Sequence, residues 1–341
     1  MTERLEDIAL AMVADGKGIL AADESSGTIK KRFDAIGVES TGDSRRDYRE
    51  MMFRATDAMK NHISGVILYD ETIRQTAADG TKLVDLIKAT GAIPGIKVDV
   101  GAKPLAGFPG DTITEGLDGL RERLAEYYKL GARFAKWRAV IDINEEENVP
   151  SATAIDANCH ALARYAALCQ EAGIVPIVEP EVLMDGAHDI DTCYEITKVT
   201  LLQLFSELYA ADVNLEGAIL KPNMVIPGKK SGAKASPEQV AEMTLKVFRE
   251  TVPVALPGIA FLSGGQSDEE ATANLNAMNA MGPHPWKLTF SYGRALQAAP
   301  QKAWAGKKDN VTAAQAAFTH RARMNGLAAQ GKWTAALDKK G

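Results

Sequence analysis

The sequence predicts a single-domain α/β fold, a (β/α)8 barrel of the TIM type, and three observations carry that prediction. Eight short apolar segments recur along 341 residues; from Ile19 to Leu288 they are spaced about 38 residues apart on average, the length of one strand–loop–helix unit. Segments of helical periodicity lie between them, and such alternation means a parallel sheet. The glycine fingerprint of an open, nucleotide-binding sheet is missing. Gly16-x-Gly18-x-x-Ala21 approaches it, but precedes and enters a strand instead of following one. Eight units also exceed the roughly five or six usual in open sheets.

The elements follow in order. Leu5, Ile8 and Met12 share one face of an N-terminal amphipathic helix. Glu3, Glu6 and Asp7 stand where a secretory leader needs positive charge. The strand-like segments are 18–23, 65–69, 95–99, 134–138, 175–179, 217–221, 258–262 and 288–291. Leu117, Leu120, Leu124 and Tyr128 mark a helix that ends at Gly131. Ile155, Cys159, Leu162, Ala166 and Cys169 mark another before Gly173, with Ser151 as its N-cap. Ser236 and Pro237 open a third, cap followed by proline at the first helical position. A helix-rich segment from about 295 to 329 closes the barrel and leaves a short tail, so residues 1–341 form one domain. Loop 227–236 is expected to be the most mobile element, its lysines solvated.

Composition narrows the function. Apolar residues make up 46% and charged residues 25%, the balance of a folded globular protein. A net charge of −6 argues against nucleic-acid partners and polybasic membrane binding. No apolar run approaches the roughly 18 residues of a membrane span. Cys159, Cys169 and Cys193 form no paired framework, which points to inert thiols in the reducing cytoplasm. His62, His160, His188, His284 and His320 are scattered, without the spacing of metal ligands, which disfavours a metal-dependent mechanism and leaves carboxylate-bound Mg2+ as the alternative; no cofactor is expected.

The informative feature is charge inside apolar strands. Lys97 lies between Ile96 and Val98, Lys136 within Phe-Ala-Lys-Trp-Arg, and Lys221 ends Ala-Ile-Leu-Lys. Side chains alternate along a strand, so Lys136 shares a face with Arg138, and Glu179 with Glu181. Asp23 ends the first strand. In such barrels the C-terminal strand ends face the catalytic mouth. Unpaired charges in a dry core would cost several kcal/mol each, so these groups should share one polar pocket. Such a pocket suits a lysine nucleophile that condenses with a carbonyl, with carboxylates moving protons. Lys221 is the best candidate, because its apolar approach should bury it. Ser263, Gly264 and Gly265 end the seventh strand; Ser291, Gly293 and Arg294 end the eighth. Glycine N–H groups and an arginine there form the recurrent phosphate site of these barrels.

Together the segments GKGILAADES, GIKVD, FAKWR, GIVPIVEPE, LKPNM, GIAFLSGGQS and LTFSYGRALQ resemble class I fructose-1,6-bisphosphate aldolases from about residue 5 to about residue 333. The resemblance implies a metal-independent, homotetrameric, cytoplasmic barrel. Its substrate would be fructose 1,6-bisphosphate, its products dihydroxyacetone phosphate and glyceraldehyde 3-phosphate. Lys221 would form the Schiff base and Glu179 would move the main proton, assisted by Asp23, Lys136 and Glu181. Ser263, Gly264, Gly265, Ser291, Gly293 and Arg294 would hold the phosphate nearest the imine. Ser25, Arg32, Lys97 and Arg138 would serve the other, with Thr28 where the family often has Ser. The family's animal and plant members also carry a C-terminal Tyr that helps protonate the enamine. Here the sequence ends at Gly341 without one, which gives that step to Glu179 or water or makes it slower. Two other readings share some of these features. A transaldolase or sugar-phosphate lyase would use the same lysine with one phosphate grip; a non-catalytic scaffold or metabolite sensor would bind phosphate without turnover.

Overall fold

Eight short strands, apolar almost throughout, close into a ring. In the computed structural model, which describes residues 3–339, they are β1 (Gly18–Ala22), β2 (Ile63–Leu68), β3 (Ile93–Lys97), β4 (Phe134–Ile141), β5 (Val175–Val182), β6 (Ile219–Leu220), β7 (Gly258–Phe261) and β8 (Lys287–Tyr292). Neighbours pair in parallel, and β1 pairs with β8 to complete the barrel. A hairpin of Gly101–Pro104 with Thr112–Glu115 follows β3, outside the ring. Every residue of β1, β2 and β5 is buried, as expected where one face meets helices and the other the barrel interior.

The two faces feed two cores. Outward residues such as Leu20, Val66, Ile96, Trp137, Val178 and Phe261 join the large core beneath the helices. Inward residues Ile19, Ala21, Ile67, Phe134, Val175, Ile177, Ile219 and Ala260 fill the barrel. Ile8, Ala9, Met12 and Val13 join this inner set, so the helix Leu5–Met12 buries its apolar face and plugs the barrel floor. The same alternation continues upward into charge. Lys136 and Arg138 lie two and four residues beyond Phe134, Glu179 and Glu181 beyond Ile177, and Lys221 beyond Ile219.

Phe134 shows how tightly the interior is matched. A Cβ added at Gly95 would lie 2.2 Å from the Phe134 ring, and one at Gly65 2.9 Å from it. Gly95→Ala should therefore destabilise the fold by about 2–3 kcal/mol, as overpacking does, and Phe134→Leu in the same chain should return part of the loss. Denaturant midpoints of the three variants check this.

The helices keep most of their expected signals. Ser151 and Ser236 cap Ala152–Glu171 and Pro237–Thr251 by accepting from the Ala154 and Gln239 N–H groups. The last segment divides into Arg294–Trp304 and Val311–Ala328. The helix expected to include Leu117 instead runs from Leu120 to Leu130, because Gly119 takes a left-handed conformation at its N-cap. Strand β6 is shorter than expected: Gly217 belongs to a 3-10 turn. Pairing nevertheless reaches the next residue, since the Lys221 N–H donates to the Val178 carbonyl at 2.8 Å. Loop 227–236 is not free over its first part. The N–H groups of Gly228, Lys229 and Lys230 donate to the carbonyls of His188, Met184 and Gly186 at 2.9, 2.8 and 2.9 Å. Lys229 also pairs with Asp185 at 2.9 Å.

Candidate active site

The strand tops bring the buried charges together. Lys136, Glu179 and Lys221 are only 4, 3 and 4% exposed. Glu179 lies between the two lysines: its Oε1 is 3.2 Å from Lys221 Nζ and its Oε2 3.3 Å from Lys136 Nζ. Lys136 Nζ also meets Asp23 Oδ2 at 2.8 Å. On the neighbouring positions Arg138 Nε donates to Glu181 Oε2, and Lys97 Nζ pairs with Asp99 Oδ1 at 2.7 Å. Strand register causes this arrangement, since Lys97 lies opposite Lys136 and Arg138 opposite Glu179.

Burial and pairing compete at these groups. Burial alone would raise the Asp23 carboxyl, but the cations of Lys136, Lys221 and Lys97 bring it down to about 2. Burial would favour neutral Lys136, yet Asp23, Glu179 and Asp99 outweigh it and raise its pKa above the ordinary range. Lys136 is therefore a held cation, not a free amine. Arg138 is raised in the same way, burial opposing Glu181, Glu179 and Asp99.

These shifts set a pH dependence. A carboxyl at about 2 against an ordinary 3.8 contributes about 2 kcal/mol of stability, present above about pH 4 and lost as pH falls toward 2. Lys136, raised above its ordinary value of 10.5, contributes stability below about pH 10.5 that is lost as pH rises through the folded value. The stability gap between wild type and Asp23→Asn should shrink between about pH 5 and pH 2, measured by denaturant unfolding.

A cavity of about 260 Å³ opens over these residues. Its wall includes Asp23, Ser25, Arg32, Lys97, Lys136, Arg138, Glu179, Glu181, Lys221, Ser263, Gly264, Ser291 and Gly293. Ser25 caps the helix Ser26–Asp34, and its hydroxyl meets that of Thr28 at 3.1 Å, beside N–H groups suited to an anion. The Ser291 hydroxyl is buried without a partner. Gly264 and Gly265 both have positive φ, +50° and +77°, and a Cβ on Gly264 would meet Met184 Cε at 2.2 Å, so this turn needs glycine.

Not every expected residue joins the cavity. Gly265 faces an adjoining apolar groove, where Lys229 packs against it. Arg294 is exposed, and its Nη2 donates to the Gln266 carbonyl at 2.7 Å. Arg32 lies on the β8 side of the mouth, next to Gly293, rather than beside Lys97 and Arg138: a Cβ on Gly293 would be 3.7 Å from Arg32 Nη2.

Three contributors were not read from the sequence. Asp99 pairs with Lys97; it lies two residues beyond that lysine, just past the end of β3, inside the strand-like segment 95–99. Glu24 lines the cavity and pairs with Arg32. Alternation would have put it opposite Asp23, but β1 ends at Ala22 and the chain turns. Gln297, which donates to Glu24 Oε1 at 2.7 Å, comes from a distant helix and left no local signal.

A larger groove of about 750 Å³ lies at the opposite end of the barrel, beside Leu10, Pro257 and Trp286. All three cysteines are buried and unpaired, and burial pushes the Cys193 thiol up to about 11. Among the described residues no group of three or more His, Cys, Asp or Glu is placed to hold a metal ion.

Comparison with known proteins agrees with the geometry. A sequence model described as glycolytic, fructose-bisphosphate aldolase class-I, matches residues 4–341. The chain is 59% identical over 334 residues to a probable fructose-bisphosphate aldolase class 1 of Xanthomonas axonopodis pv. citri, covering 97% of this chain and 98% of that one. It is 54% identical to human fructose-bisphosphate aldolase C, over 97% of this chain and 91% of the relative. A solved structure of Plasmodium falciparum fructose-bisphosphate aldolase, in complex with TRAP and a small-molecule inhibitor, superposes with a TM-score of 0.95 at 49% identity, covering 97% of this chain and 95% of that chain. With a match that runs almost end to end, on a barrel of the same shape, the chain belongs to the class I fructose-bisphosphate aldolase family.

Proposed function

We propose that the chain catalyses reversible cleavage of fructose 1,6-bisphosphate to dihydroxyacetone phosphate and glyceraldehyde 3-phosphate, through an imine on Lys221. The observation that carries this reading is the contrast between two buried lysines. Lys136 is gripped by Asp23 and Glu179, whereas Lys221 has one close carboxylate, Glu179 at 3.2 Å. Lys221 is the amine that can lose a proton to its neighbour and attack.

The steps follow from that geometry. The Lys221 amine adds to the C2 ketone, and loss of water gives a protonated imine. Lys136, held charged, stabilises the departing oxygen, and Asp23 keeps Lys136 in place. Glu179 takes the C4-hydroxyl proton, the C3–C4 electrons enter the imine, and the aldehyde leaves. Glu179, directly or through water, returns that proton to C3 of the enamine, and hydrolysis of the resulting imine releases dihydroxyacetone phosphate and the free lysine. Glu181 holds Arg138 across the mouth.

Cationic groups on two sides of the cavity favour a bisphosphate over a monophosphate. Ser25, Arg32, Ser263, Gly264, Ser291 and Gly293 stand on the β7–β8–β1 side, Lys97 and Arg138 on the β3–β4 side. The half-buried Gly265 and the exposed Arg294 flank the first group and would join it only if the rim closes. The same reading takes the protein as a cytoplasmic homotetramer. Exposed Val199, Leu202 and Tyr209 on the helix Ile190–Ala210 offer a face for a second copy, and three unpaired cysteines suit a reducing compartment. No described helix is long and apolar enough to cross a membrane.

Cleavage should persist after exhaustive chelation, since lysine chemistry needs no divalent cation. A coupled triose-phosphate assay should give the same rate with and without chelator. Activity that disappears on chelation and returns with added metal would contradict the proposal.

A further inference from the structure

From the cavity wall inward runs a charge cluster that the imine chemistry does not use. Glu24 faces two guanidinium groups. Arg32 Nη1 donates to Glu24 Oε1, which also accepts from Gln297 Nε2 at 2.7 Å. Arg49, on the helix Gly42–Phe53 and only 1% exposed, donates Nη2 to the Glu24 main-chain carbonyl at 2.9 Å. Its Nη2 stops 3.6 Å short of Glu24 Oε2.

The cluster is under-satisfied in a specific way. Glu24 Oε2 is buried with no hydrogen-bond partner, and so are Arg49 Nε and Nη1. Such groups are costly to leave unmade. One carboxylate shared by two guanidinium groups also leaves one positive charge without a partner in the cluster. Arg32, the less buried of the two, reaches the cavity beside Gly293, where a phosphate would sit.

We infer that Arg49 is a positioning residue that takes over Glu24 when a phosphate draws Arg32 away. Closing the 3.6 Å gap between Arg49 Nη2 and Glu24 Oε2 gives the idle oxygen a donor, and Arg32 then meets the phosphate without stranding a buried carboxylate. Arg49 thereby strengthens phosphate binding from behind the wall and touches no reacting atom. The inference rests on the proposed bisphosphate site and deepens it.

The test is a thermodynamic cycle on purified full-length protein. Arg49→Met should raise KM for fructose 1,6-bisphosphate about tenfold with kcat within about twofold, and weaken competitive inhibition by inorganic phosphate to a similar degree. Arg49→Lys, which keeps the charge, should recover part of the loss. In an Arg32→Ala background Arg49→Met should add almost nothing, because no residue is left to release. The Glu24→Gln/Arg49→Met pair guards against misfolding and should recover most of the phosphate binding, because no buried carboxylate is left to strand when Arg32 moves. An unchanged KM in Arg49→Met, or a penalty of the same size with and without Arg32, would overturn the inference. Failure of the imine reading is separately visible, as loss of any borohydride-trapped adduct in the wild type.

Discussion

Lys221→Met should lose bisphosphate cleavage by more than about a thousandfold in kcat/KM while keeping its fold. The replacement is close in shape, and the site stays charge-balanced enough to hold: Glu179 retains Lys136 Nζ at 3.3 Å. What disappears is the covalent route, and a removed nucleophile leaves only binding and residual electrostatics. Steady-state assays and a thermal melt check both halves. A variant that still cleaves within about tenfold of wild type would remove Lys221 from the chemistry.

Lys136→Met should do something different. It removes the cation that sits between Asp23 and Glu179 at 2.8 and 3.3 Å, so two carboxylates stay buried with less to balance them. Breaking a buried pair from one side costs about 3–5 kcal/mol, and the loss should be largest near neutral pH, well above the range in which Asp23 takes up its proton. It should shrink as pH falls through the range in which Asp23 takes up its proton. Catalysis should fall at least about a hundredfold in kcat, through poor imine formation rather than loss of the nucleophile. Adding Asp23→Asn should return part of the stability and little of the rate. Equal recovery of both would mean that Lys136 serves the fold alone.

Much of this was legible because a barrel obeys simple periodicities. Eight apolar segments at regular spacing mark the ring, and the two-residue repeat of a strand puts Lys136 with Arg138 and Glu179 with Glu181. The helix Leu5–Met12 was legible from its apolar face, though its place as the barrel plug was not, since that depends on contacts with Ile19, Ile177 and Ala260. Where the repeat stops, the reading weakens. Glu24 lies just past β1, and its partners Arg49 and Gln297 lie 25 and 273 residues away, so no local pattern links them. Which strands Arg32 stands beside was not legible for a related reason: its place next to Gly293 depends on β1 closing onto β8, a long-range pairing. Loop 227–236 looked free by composition, yet main-chain bonds to 184–188, which sequence does not display, hold its first part.

The most direct measurement is intact mass after borohydride reduction in the presence of dihydroxyacetone phosphate, with Lys221→Ala as control. Wild-type protein should gain the mass of one reduced triose-phosphate adduct per chain, mapped to Lys221 by peptide analysis, and the variant should gain none. An unmodified wild type, or an adduct on Lys136 in place of Lys221, would contradict the account.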